Sequence, residues 1–234
     1  IKRIVCVSKA IETNMRNFVD QPEKCMTIYS GVDMTQFDRV IKIDLRKLYS
    51  LSDDCVIIGT TAALDNSKDP VTFVNVIKLL YQAGMNAHGL IVGDGPLRAD
   101  VQNMIEQEGL SKIITLAGFR ADVKSLMAGF DYFMLTSIEE GLGTSVLDAF
   151  LARTPVVATQ VGGIPEMVIH ETTGMLAPPR NAEQLANCIR TLHNSPRLRE
   201  LVVHNALVAV QKFSKEEMAE RTNKVYKEVT LHEV

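Results

Sequence analysis

The stretch DYFMLTSIEEGLGTSVLDAFLARTP, residues 131–155, decides how the rest of the chain is read. It opens on Tyr132-Phe133-Met134-Leu135, an apolar run with the length and content of a buried strand. A polar turn, Thr136 to Glu140, leads into Gly141-Leu142-Gly143. Beyond it Val146, Leu147, Phe150 and Leu151 recur at helical spacing, and Thr144 and Ser145 stand where side chains cap a helix start. Strand, glycine-rich turn and helix in this order leave free N–H groups and the positive dipole end beyond the strand's carboxyl end, a place that holds an anion. Two carboxylates flank the turn, Glu140 before it and Asp148 one turn into the helix. Taken alone, these acids read equally well as complements to the helix dipole.

The same alternation runs outward in both directions. Upstream, strand Val56–Thr61 precedes a helix over 70–84, with Pro70 suited to its start and Gly84 to its end. Strand His88–Val92, a helix to about Glu108, strand Ile113–Leu116 and a helix over 122–129 follow. Downstream come strand Val156–Ala158, a Gly162-Gly163 turn with a short helix, strand Gly174–Leu176, and helices over 182–192, 197–210 and from Ser214. Short apolar strands alternating with amphipathic helices predict an α/β fold, a doubly wound, Rossmann-like parallel sheet covered on both faces. Ligands of such sheets bind beyond the strands' carboxyl ends. Before this core, strand Arg3–Ser8, a helix over 10–19 and strand Cys25–Tyr29 lead into Ser30-Gly31-Val32-Asp33 and Phe37. The expected organisation is 1–37 as the end of a preceding domain and its crossover, 38–54 as a charged linker, 55–212 as the Rossmann-like domain and 213–234 as a returning helix. A chain that opens on a strand at Ile1 reads as a piece of something longer.

Bulk properties exclude several classes. The net charge of −3, without a run of Lys or Arg, speaks against a nucleic-acid surface. No apolar stretch approaches the roughly 20 residues of a membrane span. Cys6, Cys25, Cys55 and Cys188 are scattered without a CxxC and read as reduced thiols of a cytosolic protein. The histidines have no ligand spacing, so no metal site is expected. Gly93-Asp94-Gly95-Pro96 follows a strand, yet Arg98 stands where a dinucleotide fingerprint has its third glycine; a tight turn explains it better.

Glu140 and Asp148, with seven residues between them, resemble the E-x7-E donor-site signature of the family 4 retaining glycosyltransferases, which have the GT-B fold. Neighbouring passages carry the same resemblance along almost the whole chain. They are the Ser30-Gly31-Val32-Asp33 turn, Lys68 in the loop 62–70, Gly93 to Pro96, Gly118-Phe119-Arg120, Gly162-Gly163-Ile164-Pro165-Glu166, Gly174-Met175-Leu176 and Phe213-Ser214. Four positions depart from the pattern: Asp148 replaces a Glu, Ser30 an Asn, Lys215 an aromatic, and Ala63 the Arg that with Lys68 clamps the diphosphate. Arg120 and Lys124 are the candidate replacements for that cation. The resemblance implies the C-terminal, nucleotide-sugar-binding half of a retaining enzyme that needs no metal or other cofactor. It assigns Lys68 and Glu140 as catalytic, Lys68 neutralising the departing diphosphate and Glu140 holding sugar hydroxyls. It makes Gly93, Gly95, Phe119, Gly141, Leu142, Gly143, Thr144, Ser145 and Asp148 donor-binding, Asp148 toward the ribose. The partners implied are a nucleotide-sugar donor and a glycan or lipid-linked acceptor held by an N-terminal domain nearly absent from the chain, so that the fragment alone transfers no sugar. Its implied place is the cytoplasm or the inner face of a membrane. Two alternatives remain open at this stage: a GT-B-like binding or scaffold domain without catalysis, suggested by Ala63 and Asp148, and a nucleotide-sugar epimerase.

Overall fold

The structure, a computed structural model, describes residues 1–231. The chain begins with β1 (Ile4–Cys6), α1 (Lys9–Arg16) and β2 (Cys25–Thr27), and β1 and β2 form a small parallel pair. After a crossover and the short helix α2 (Leu45–Leu48) the regular alternation starts. It runs β3 (Val56–Thr61), α3 (Pro70–Gln82), β4 (Ala87–Val92), α4 (Arg98–Gln107), β5 (Ile114–Gly118), α5 (Val123–Met127) and β6 (Tyr132–Leu135). It continues with α6 (Thr144–Leu151), β7 (Val156–Thr159), β8 (Met175–Ala177), α7 (Ala182–Asn194), α8 (Pro196–Ala209) and α9 (Lys215–Leu231).

The six strands from β3 onward are parallel, in the order β5-β4-β3-β6-β7-β8. Chain order reverses between β3 and β6, so the topological switch point lies where their carboxyl ends meet. Period-two alternation assigns the strand side chains to two cores. Tyr132 and Met134 of β6 point to one face, with Phe73, Ile77 and Leu80 of α3 and Leu185 and Ile189 of α7. Phe133 and Leu135 point to the other, with Leu126 of α5 and Val146, Leu147 and Phe150 of α6. Gly59 of β3 leaves the space for the Phe130 ring, which an added Cβ would meet at 2.3 Å. The expected α/β doubly wound architecture is the observed one.

Segment 38–54 packs onto this body. Leu45 is buried, Ile43 N–H bonds the Ser125 carbonyl, and Arg46 pairs with Asp131 at 2.6 Å. The same Asp131 carboxylate accepts from Ile57 N–H at the start of β3. At the other end, α9 returns to β1: Lys2 Nζ reaches the Val229 carbonyl and Arg3 pairs with Glu228. The crossovers run side by side, Val32 N–H bonding the Phe213 carbonyl and Lys215 N–H the Val32 carbonyl. Gly31 is required there, since a Cβ would sit 2.5 Å from the Ser214 carbonyl oxygen.

Candidate active site at the switch point

The loop after β3 holds Lys68 from both sides. Asp65 caps the single turn Asn66–Lys68, its Oδ1 accepting from Lys68 N–H at 3.1 Å and from Ser67 Oγ at 2.7 Å. Thr136, buried at the end of β6, places its Oγ1 2.9 Å from the Lys68 carbonyl oxygen. The loop after β6 is stitched to the same strap, Ile138 and Glu139 N–H groups both donating to the Ser67 carbonyl. Lys68 and Glu140, 72 residues apart in sequence, thereby meet across the switch point. Lys68 Nζ lies 2.6 Å from Glu140 Oε1, with side chains 25% and 9% exposed. Ser137 Oγ donates to the same oxygen at 2.8 Å, and Thr159 of β7 donates to the Ser137 carbonyl at 2.5 Å.

Helix α6 starts directly behind this pair. Its N-cap is Gly143 in a left-handed conformation (φ 87°), and no side chain caps it. The expectation that Thr144 and Ser145 cap the helix is corrected: the left-handed glycine already turns the chain into the helix, and both residues lie inside the first turn. The positive end of α6 therefore remains available to an anion. Gly141 and Leu142 approach the turn 162–163 closely. A Cβ on Gly162 (φ 51°) would fall 1.8 Å from the Glu140 carbonyl oxygen, and one on Gly163 2.6 Å from that of Gly141. The Leu142 side chain is buried in the core.

A second helix start lies opposite. Glu166 accepts from the first N–H groups of α1, Lys9 at 3.0 Å and Ala10 at 2.9 Å, and from Tyr29 Oη at 2.8 Å. Burial, seconded by that carboxylate, pushes the Tyr29 phenol up to about 12. Ser8, fully buried, caps α1 through Ile11 N–H and donates to the Gly141 carbonyl at 2.6 Å. The start of α1 is thus filled by a carboxylate of the chain itself, whereas that of α6 is not filled by a side chain.

The remaining candidates spread along the same rim. Gly93 (φ 145°) bonds the Gly118 carbonyl through its N–H, and a Cβ there would lie 1.9 Å from the Ala62 carbonyl oxygen. Gly95 packs on Leu64, a Cβ there falling 2.5 Å from its carbonyl oxygen, so both glycines join the loops after β3, β4 and β5. Phe119 is 81% exposed beyond β5. Asp148 does not join the Lys68–Glu140 pair directly; its Oδ1 accepts from Gln36 of the crossover at 2.6 Å. Desolvation raises its pKa above the ordinary carboxylate value, against the Gln36 hydrogen bond and the charge of Lys124. Ala63 is exposed. Arg120 is engaged in a two-bond pair with Asp122, at 2.7 and 2.6 Å, and Lys124 acts on Asp148.

Sequence reasoning did not single out Ser8, Gln36, Thr136, Ser137 or Thr159. Ser137, three residues before Glu140, carried a local signal; the others reach the site only through tertiary contacts. Among the described residues no group of three or more His, Cys, Asp or Glu is placed to hold a metal ion. No helix among them is long and apolar enough to cross a membrane.

Comparisons with known proteins bear on the family and the fold. A model of the family described as glycosyl transferases group 1 matches residues 54–195, more than half of the chain. A glycosyltransferase of Methanocaldococcus jannaschii is 33% identical over 97% of the chain and 60% of its own length. The alpha-D-kanosaminyltransferase of Streptomyces kanamyceticus is 28% identical over 81% of the chain and 50% of its own length. Among solved structures, HepE of Anabaena in complex with UDP and glucose superposes with a TM-score of 0.87 at 25% identity, covering 97% of this chain and 63% of that one. The chain thus spans about half to two thirds of these relatives, with the GT-B, Rossmann-like architecture throughout the match. It belongs to the group 1 glycosyl transferases.

Proposed function

We propose that the chain is the donor-binding half of a family 4 retaining glycosyltransferase that takes a UDP-hexose. The observation that carries this reading is the Lys68–Glu140 pair beside the uncapped start of α6, at the sheet's switch point. A diphosphate placed there meets the Lys68 ammonium and the N–H groups of Gly143 to Ser145, and Glu140 turns to the sugar hydroxyls. As the bond between the anomeric carbon and the diphosphate oxygen breaks, the charge that gathers on that oxygen faces donors already in position. No residue need supply a proton to this leaving group, and in this reading no metal assists. From β3 to β5 is two strand spacings, roughly 10 Å. A base held against the 118–120 loop beside exposed Phe119 therefore fits a diphosphate over β3 and β6. Asp148 would accept from ribose hydroxyls while Gln36 holds its carboxylate in place. Uridine as the base draws support from the HepE complexes, which were solved with UDP, with UDP and glucose, and with UDP-glucose. The acceptor would be a glycan or lipid-linked molecule bound by residues preceding this chain.

Ala63 favours a second reading, a GT-B domain that binds without catalysing, because a guanidinium would bind phosphate through two bonds and a methyl group cannot. Calorimetric titration of the chain with UDP, GDP and ADP tests the donor assignment: saturable binding of UDP alone is expected. Preference for another base overturns the uridine assignment, and binding to none overturns the donor site in this chain. Retention is tested in the longer protein by the anomeric configuration of the first-formed product, which should match that of the donor.

A further inference from the structure

We propose that Glu166 is a positioning residue that ties the start of α1 to the Glu140–Gly143 turn and so sets the place of the α6 N-terminus. Three donors converge on its carboxylate, the N–H groups of Lys9 and Ala10 and the Tyr29 hydroxyl, all from the first 30 residues. On its own side, Glu166 ends the single helical turn Ile164–Glu166, which follows Gly162 and Gly163 without a break. Those two glycines lie backbone to backbone against Glu140 and Gly141, so closely that a methyl group on Gly162 would overlap the Glu140 carbonyl oxygen and one on Gly163 that of Gly141. A close-packed contact of this kind transmits displacement, because neither side has room to yield. From the other direction Ser8, the cap of α1, donates to the Gly141 carbonyl at 2.6 Å. The turn that presents Glu140 and opens α6 is therefore gripped twice from α1, once through Ser8 and once through Glu166. The carboxylate is suited to this task because it accepts from two adjacent helix N–H groups and a hydroxyl together. Gln in its place keeps the size, loses the charge and turns an amide donor toward one of those donors.

Glu166 acts on the proposed donor site through the turn. Its effect on binding rests on the donor-site reading above, whereas its effect on the turn does not. Hydrogen exchange on the chain carrying Glu166→Gln, and separately Glu166→Ala, tests the coupling without any ligand. We expect amides of residues 139–145 to exchange about tenfold faster, with α3 unchanged as the measure of an intact fold. Faster exchange confined to residues 8–11 and 164–168, or a uniform rise that includes α3, would overturn the proposal. Titration with UDP adds the functional arm. Where the wild-type chain binds UDP, Glu166→Gln should weaken binding about tenfold, and unchanged affinity would overturn the coupling to the site. A wild-type chain that does not bind UDP counts against the donor reading alone, and the exchange result then decides for Glu166.

Discussion

Asp148 and Ala63 are two of the four positions at which the sequence departs from the pattern it resembles, and each has a separate physical consequence. Asp148 is held in a desolvated place by Gln36, and its pKa is raised above 3.8 chiefly by burial. A folded-state pKa above the unfolded one stabilises the fold below the unfolded value, and that contribution is lost as pH rises through the folded value. Above the unfolded value the desolvated carboxyl is therefore a cost to the fold. Asp148→Asn keeps an oxygen for Gln36 and removes the charge, so it should melt higher than wild type at pH 7, by about 2–4 °C per kcal/mol gained. The advantage should vanish near pH 3, and thermal melts at the two values check it. Ala63 is exposed in the loop that carries Lys68, at the position where the resemblance expects an Arg. Ala63→Arg should tighten UDP binding about tenfold, as one charge-assisted hydrogen bond is worth on the order of 1.5–3 kcal/mol before screening. The gain should shrink in high salt, measurable by titration at two ionic strengths.

At the scale of elements, the site is a set of loops pressed together by glycines, and the glycines are not equivalent. Gly162 combines a positive φ with a Cβ position 1.8 Å from backbone, whereas Gly143 has a positive φ and meets only side-chain atoms, none closer than the Ile164 Cγ1 at 3.3 Å. Gly143→Ala should cost about 1–2 kcal/mol, the left-handed penalty. Gly162→Ala should cost about 3 kcal/mol or more, strain and overlap together, and urea unfolding distinguishes the two. Much at this scale was legible in the sequence. The spans of β3 and β6 coincide with the expected strands, Val56–Thr61 and the apolar run Tyr132–Leu135. α1, β1 and β2 are shorter than the spans expected over 10–19, 3–8 and 25–29, because tertiary pairing rather than local pattern sets their ends. Thr144 and Ser145 have cap chemistry, yet the left-handed turn that starts α6 belongs to Gly143, which no periodicity reports.

At the scale of the whole molecule, the alternation of strands and helices specified the parallel sheet, and its order places the ends of β3 and β6 side by side. Lys68 and Glu140 were recognisable from their local motifs, and the topology is what joins them across 72 residues. Contacts without a local motif escaped the sequence. Glu166 to Lys9 spans 157 positions, Ser8 to Gly141 spans 133 and Gln36 to Asp148 spans 112, and no periodicity reports such pairings. They all connect the first 36 residues to the rim of the candidate site, so the small β1–β2 unit takes part in shaping it. The central claim concerns the pair at the switch point. Its most direct test is the titration of UDP into the wild-type chain and into Lys68→Ala, with circular dichroism to confirm the fold. Loss of the ammonium should weaken binding at least tenfold, about 1.4 kcal/mol, while the fold stays intact. Undiminished UDP affinity in a folded Lys68→Ala chain would contradict the account.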